Sequence, residues 1–390
     1  MADSDLMTDP DLMTDNGPQC PLRGLTVVAL EHAVAAPLCT RRLADAGARV
    51  IKLERPEGDF AREYDKAARG WSAYFVWLNG GKESVVVDLK QPADVDFVQS
   101  LVASADVYVE NLGPGVAARF GLDIETLRVQ HPRLVACSIS GYGNTGPLRN
   151  RKAYDLLVQA ESGLASITGS PSEPGRVGVS VVDIAAGLNA YSSILLALHH
   201  RAATGHGATL RISLFDAISE WMTVPLLQFE YAGSAPKRVG LRHPSIAPYG
   251  VFTTRDGESI LLSIQNDREW QELVKHVLAC ADWAVSAKFA TTLARIAHRD
   301  ELDAHIARRC QELTTDDLVA ALETARVAYG CLNGVDGLST HPQLRRVEVA
   351  AGEVRVRIPA PVLQSDPILE RVGPVPRLGE HTERVKRTLR

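Results

Sequence analysis

Residues 24–56, GLTVVALEHAVAAPLCTRRLADAGARVIKLERP, decide the fold. The run TVVAL at 26–30 is a short, uncharged apolar stretch that predicts a β-strand. Residues 37–46 follow with helical spacing, and RVIKL at 49–53 predicts a second strand. The same alternation continues outward: further strands are predicted at 85–89, 107–110 and 134–139, with helices such as 91–104 between them. That order is the signature of a parallel, doubly wound α/β sheet. Helices are then expected at about 154–166 and 184–203, a strand at 208–214, and a helix from Asp216 to about Tyr231. Beyond it the pattern changes. Runs at 249–254 and 259–264 flank Arg255-Asp256-Gly257-Glu258, a hairpin signal, and helical segments pass through Trp270, Ile306 and Leu318. The reading is an acidic, disordered tail at 1–20, a large sheet domain at 21–225, a small α+β domain at 226–330, and a segment 331–390 returning to the large domain.

A chain of 390 residues with 45% apolar and 23% charged residues is long enough for two cores and ordinary for a globular protein. Its net charge of −5 has a local origin, because residues 1–22 hold five aspartates and no Lys or Arg. Without them 42 acidic groups face 42 basic ones, so no overall field attracts nucleic acid or an anionic membrane. The acidic tail repeats itself (DLMTDP at 5–10, DLMTDN at 11–16) and lacks a basic segment followed by an apolar run, so no secretory signal is expected. Six cysteines without a C-x-x-C pair, and without His at ligand spacing, are expected to be reduced thiols of a cytoplasmic protein that holds no metal.

The turn after the first strand, Glu31-His32-Ala33-Val34-Ala35-Ala36-Pro37, has no G-x-G-x-x-G, which argues against a dinucleotide even though Glu54 stands where such proteins keep a ribose-binding acid. Basic residues instead gather at strand ends and turns: Lys52, Arg55, Arg62, Lys82 and Arg119. For Arg55 and Lys82 two readings stand side by side, solvated surface charge or side-chain cradle for a phosphorylated ligand. Asp183 is the most informative residue. It is the only Asp, Glu, Lys or Arg between Val177 and His200, and it stands where a helix is expected to begin. As an N-cap it would hold free amides. As a nucleophile it would be an ionised, poorly solvated carboxylate favoured by the helix dipole. The small residues Ala185, Ala186, Gly187 and Ala190 allow close approach by a ligand or by another backbone. Asp155, like Asp183, is explicable as a helix-start acid.

The chain from about residue 21 to 381 resembles the family III CoA-transferases (formyl-CoA, carnitine and mesaconyl-CoA transferases), whose fold α-methylacyl-CoA racemase shares. The matching text is PLRGLTVV at 21–28, ARVIKLERP at 48–56, GGKESVVVDLK at 80–90, VENLGPGVAARFG at 109–121, SGYGNTGP at 140–147, YDLLVQAESG at 154–163, GVSVVDIAAG at 178–187, HPSIAPYGVF at 243–252 and GEH at 379–381. The resemblance implies a Rossmann-like domain with a smaller α+β domain, in an interlocked homodimer. It implies coenzyme A as substrate, with no metal, and Asp183 as the nucleophile that carries CoA as a thioester. By the same resemblance Arg55, Asn111, Arg119 and Lys152 hold CoA, Tyr154 lies beside the acyl group, and His32, Val34 and Ala35 line the thioester. Acyl-CoA and a carboxylic acid, possibly a small dicarboxylate, are the implied partners. Three departures matter. Val34 replaces a glutamine of formyl-CoA transferase, a glycine-rich closing loop has no counterpart, and Tyr154 stands where racemases have histidine. The last favours CoA transfer over its alternatives, racemisation or isomerisation; a non-catalytic CoA-binding protein, with Asp183 a mere cap, is the other alternative.

Overall fold

The computed structural model describes residues 20–366 and 368–388; the acidic tail expected at 1–20 lies outside these apart from Cys20. Two compact units divide the chain.

The first unit comprises residues up to 163, then 177–223 and 345 onward. Its strands are β1 (Thr26–Leu30), β2 (Arg49–Glu54), β3 (Lys82–Val86), β4 (Val107–Glu110), β5 (Val135–Ser140) and β6 (Thr209–Ser213). They pair in parallel in the order β3-β2-β1-β4-β5-β6. Between them run α1 (Ala35–Asp45), α2 (Ala73–Asn79), α3 (Pro92–Ala103), α4 (Ile124–Gln130), α5 (Asp155–Glu161) and α7 (Val181–Thr204); the single turn α6 (Leu164–Ile167), between α5 and α7 in the chain, belongs to the second unit. Strand alternation sends Val28, Leu30, Ile51, Leu53, Val85 and Tyr108 to one face, where they pack with Val98 and Leu101 of α3 and Leu127 of α4. The other face is covered by α1 on β1, β2 and β4 and by α7 on β5 and β6. Burial on both faces explains why these strands read as unbroken apolar runs. Helix α7 is long and apolar enough to cross a bilayer, and here it packs on α1, α5 and the sheet. The order of strands reverses between β1 and β4, which opens a crevice at the carboxyl edge.

Residues 164–176 and 224–344 form the second unit. Helices α8 (Leu214–Trp221) and α9 (Thr223–Ala232) lead into it, and its antiparallel sheet is β7 (Tyr249–Thr253), β8 (Ser259–Ser263) and β9 (Ala328–Cys331). Its own core is built on Trp270, Phe289, Ile306 and Leu318. The boundaries differ from the sequence reading in two places. The excursion at 164–176 joins this unit because Arg238 donates to Ser166 O at 2.9 Å and Ser170 O at 3.0 Å. The return to the first unit begins at Arg345, not 331, because Ala328–Cys331 is the third strand of the small sheet. Once returned, the chain ties to β3: Gly81 N donates to Pro374 O, and Gly379 N to Ser84 Oγ.

Candidate active site at the carboxyl edge of the sheet

Helix α7 begins at Val181 with Ser180 as an N-cap that makes no side-chain bond. Asp183 is therefore the third helical residue and not the cap, three residues further in than its sequence position suggested. The capping group comes from elsewhere. Asp155 Oδ1, at the start of α5, accepts Val182 N at 2.8 Å and Asp183 N at 3.3 Å. Its Oδ2 accepts Gln159 Nε2 at 2.6 Å, and the buried Gln159 accepts Val177 N at 2.9 Å. The Asp183 carboxylate itself makes no hydrogen bond or ion pair among the described residues. Burial, and next the Asp155 charge, raise its pKa to about 7. This reverses the expectation that the helix dipole would favour ionisation, because Asp155 already occupies the amides that would have supplied the favourable field.

The small residues after Asp183 serve helix packing. A Cβ on Gly187 would lie 2.6 Å from Ala35 O and 3.1 Å from Leu38 Cβ, so only glycine lets α1 seat on α7. That contact brings the turn 31–35 beside the first turns of α7. Val34 is buried with Leu38 and Leu78, and Ile184, Tyr74 and Trp77 pack on the same cluster. Ala33 has φ 63°, a left-handed conformation that costs a residue with a Cβ about 1 kcal/mol. Three consecutive residues of the turn are each tied to a different segment, the start of β3, the residue after β4 and the loop after β2. Glu31 Oε1 accepts Lys82 Nζ at 2.7 Å; His32 N donates to Asn111 Oδ1 at 3.0 Å, and Asn111 Nδ2 donates to His32 O at 2.9 Å; Ala33 N donates to Asp59 Oδ1 at 3.2 Å.

Behind the turn lies a buried lattice of charge. Lys52 Nζ donates to Asp59 Oδ2 at 2.8 Å and faces Glu31, while Glu54 accepts Arg62 through both oxygens and Ser84 Oγ at 2.6 Å. Burial would raise the Glu31, Glu54 and Asp59 carboxyls, but the adjacent cations and hydrogen-bond donors outweigh it and hold all three below their ordinary values. Lys82 departs from the sequence reading. It is neither solvated nor a phosphate cradle, since its fully buried ammonium donates to Glu31, Pro37 O and Asn79 Oδ1 and has no hydrogen left for a ligand. Burial brings its pKa down to about 8 despite Glu31. Glu54, the residue at the ribose-binding position, is likewise spent inside this lattice.

An aromatic wall continues from the turn. His32 meets Phe60 at 4.9 Å between ring centroids, Phe60 meets Tyr64 at 5.7 Å, and Tyr64 meets Tyr74 edge-on at 5.4 Å. Burial, then Asp59, Asp183 and Tyr154, push the Tyr64 hydroxyl to about 12, so Tyr64 and Tyr154 share the surroundings of Asp183. Tyr154 is 65% exposed. Arg55 lies over Phe60, near His32, with its guanidinium largely exposed. Arg119, in the short 3-10 helix Ala117–Phe120 after β4, and Lys152, on the loop after β5, are exposed, without an ion pair among the described residues. Asn111 differs in kind, because both ends of its amide already hold His32. Thus His32, Val34, Ala35, Asn111, Arg55, Tyr154 and Asp183 converge on one edge, and Lys82 lies beneath it. Sequence reasoning missed the roles of Asp155, Asp59 and Tyr64. Of these only Asp155, four residues before Gln159 on one helix face, left a local trace.

The architecture is thus a six-stranded parallel α/β sheet with an unpaired carboxylate beside the turn at its carboxyl edge. Comparison with known proteins identifies the family. The family described as CoA-transferase family III matches residues 22–382. Succinate–glutarate CoA-transferase from Agrobacterium fabrum is 37% identical over 380 residues, covering 94% of each chain. Acetyl-CoA:oxalate CoA-transferase from Acetobacter aceti is 36% identical over 84% of each chain. A CaiB/BaiF family protein from Brucella suis, solved by crystallography, superposes with a TM-score of 0.82 at 35% identity, covering 95% of this chain and 99% of its own. The chain belongs to CoA-transferase family III.

Proposed function

We propose that this enzyme moves coenzyme A from an acyl-CoA to a small dicarboxylic acid through a thioester on Asp183. The observation that carries the reading is the Asp183 carboxylate, partly buried and unpaired, next to the turn that includes Val34. A carboxylate left without a partner there costs stability, which is reasonable for a group held ready to react. In the forward half-reaction an Asp183 oxygen attacks the thioester carbonyl carbon and the C–S bond breaks, leaving a mixed anhydride and CoA thiolate. The thiolate then attacks the aspartyl carbonyl, expels the donor as its carboxylate, and forms aspartyl-CoA. The acceptor carboxylate repeats both steps in reverse and frees Asp183. One thioester is exchanged for another, with no net proton and no external energy source.

Since Asp155 occupies the Val182 and Asp183 amides, the developing oxyanion must find donors elsewhere. The uncapped start of α1, which has neither a side-chain cap nor an acidic residue in its first turn, supplies them best. Arg119, Lys152 and the exposed guanidinium of Arg55 hold the phosphates of CoA, with Asn111 supporting His32, and Tyr154 positions the acyl group. The Arg55 Nε is engaged by Gly58 O and by a loose 3.9 Å pair with Glu57, while its terminal nitrogens stay open. The dicarboxylate acceptor is supported by relatives named for glutarate and oxalate transfer. A homodimer is supported by α9, where Val224, Leu226, Leu227, Phe229 and Tyr231 are all exposed. The deciding experiment is incubation with succinyl-CoA alone, followed by hydroxylamine or borohydride and peptide mass mapping. A hydroxamate or an alcohol at Asp183, absent from Asp183→Asn, is expected. An enzyme that turns over but leaves Asp183 unmodified would falsify the mechanism.

A further inference from the structure

The turn that faces Asp183 adopts a left-handed backbone at an alanine. Ala33, at φ 63°, is one of four non-glycine residues with positive φ among those described, and no glycine stands within the 31–37 turn. Something outside the turn must therefore hold it. Asp59 is 4% exposed and uses both oxygens: Oδ1 accepts Ala33 N at 3.2 Å and Ala61 N at 3.0 Å, while Oδ2 accepts Lys52 Nζ at 2.8 Å. Lys52, fully buried in the middle of β2, also faces the Glu31 carbonyl and carboxylate. A single buried ammonium thus fixes both sides of His32, through Glu31 before it and through Asp59 after it. Immediately beyond, Ala35 O lies against Gly187, one helical turn after Asp183, and Val34 packs beside Ile184. A rigid path therefore runs from Lys52 and Asp59 through Ala33 to the groups that face the reacting carboxylate.

We propose that Asp59 is a positioning residue for CoA transfer: held by Lys52, it keeps Ala33 left-handed and so fixes the Val34–Ala35 backbone opposite Asp183. The proposal rests on Asp183 as the nucleophile and assigns the source of the geometry that nucleophile needs. Asp59 does not touch the substrate. Its effect falls on the rate of the chemical step rather than on the binding of CoA: the candidate ligands Arg119 and Lys152 lie on other segments, and Arg55, in the same turn, is held by the Gly58 carbonyl and not by the Asp59 side chain.

The test compares wild type, Asp59→Asn, Ala33→Val, Ala33→Gly and the Asp59→Asn/Ala33→Gly double variant, with succinyl-CoA as donor and glutarate as acceptor. The readouts are kcat, KM for succinyl-CoA, melting temperature and the single-turnover rate of adduct formation on Asp183. Asp59→Asn faces an amide toward Lys52 and loosens the turn, so adduct formation and kcat should fall about 30-fold, on the scale of a misplaced reactant, with KM changed less than about threefold. Adding Ala33→Gly, which takes the left-handed conformation without being held there, should restore at least about fivefold of the lost kcat. Ala33→Val leaves every buried charge in place yet resists φ 63°, so it should reproduce the kcat loss even if Asp59→Asn fails to fold. An Ala33→Val enzyme with wild-type kcat overturns the proposal. So does an Asp59→Asn loss confined to KM, or one that follows the melting temperature and is not rescued by glycine. Absence of an Asp183 adduct in the wild type would sink the nucleophile reading instead, whereas equal adduct rates in wild type and Asp59→Asn would sink this one.

Discussion

The Asp155 carboxylate accepts the main-chain N–H of Asp183 at 3.3 Å, so the group that caps α7 is also a charge opposing ionisation of the Asp183 side chain. Burial is the larger cause and Asp155 the second. Because attack on a thioester requires the anion, kcat/KM for the acyl-CoA should climb with pH through about 7 and level off above it. Asp155→Asn keeps an oxygen for the cap and removes the charge, so the acidic limb should move to lower pH. It turns an amide donor toward Gln159 and should cost about 1 kcal/mol of stability. A pH–rate profile unmoved in this variant would show that Asp155 does not act on Asp183 electrostatically.

Asp183→Asn should lose roughly 10³-fold or more in kcat, as expected for removal of a catalytic group. It should also be more stable than wild type at alkaline pH. The sign follows from the raised pKa: the folded state holds the Asp183 proton more tightly than the unfolded chain does, so stability falls as pH climbs from about 4 to about 7. Asparagine removes this loss. The gain should be small at pH 4 and about 2 kcal/mol at pH 8, roughly half of what the full shift implies because solvent reaches the partly exposed carboxylate. Melting curves at the two pH values check it, and an equal difference at both would refute it.

Gly187→Ala should damage both fold and function. Its new Cβ would meet the Ala35 carbonyl at 2.6 Å in a helix-to-helix contact where neither backbone can easily yield. Overpacking of this kind costs about 1–3 kcal/mol. As the displaced segment is the turn that faces Asp183, kcat should fall with stability. A fully active Gly187→Ala enzyme would mean that the α1–α7 spacing is not needed for the chemistry.

Lys82→Met should destabilise the fold by about 3 kcal/mol, because Glu31 is left buried with one cation fewer. At a temperature where the variant remains folded, its CoA affinity should equal that of the wild type. Calorimetric titration with CoA distinguishes this from the alternative, in which affinity drops tenfold or more because Lys82 binds phosphate.

Strand order along the chain, the hairpin at 249–264 and the place of Asp183 near a helix start were legible because they depend on short-range pattern. An apolar run such as TVVAL reports burial on two faces wherever it occurs, and a lone carboxylate in an apolar stretch signals its own cost of desolvation. Domain limits were read less well. Nothing local in residues 164–176 distinguishes a segment that leaves the first unit, since its membership depends on Arg238, more than sixty residues away.

By itself the sequence determined the doubly wound sheet and the family, since each is written in periodicity or in contiguous motifs. Only the tertiary structure decided what each polar group does there. Lys82 and Arg55 look alike in the text, both near turns, yet one ammonium is enclosed by Glu31, Pro37 and Asn79 and the other side chain reaches solvent. Asp155 and Asp183 both read as helix-start acids, yet Asp155 spends its oxygens on amides of α7 and on Gln159, and Asp183 keeps its own free. The physical reason is that a charge's role depends on which donors and acceptors reach it once the chain is folded. Those partners come from strands and helices tens of residues away, where no local pattern records them.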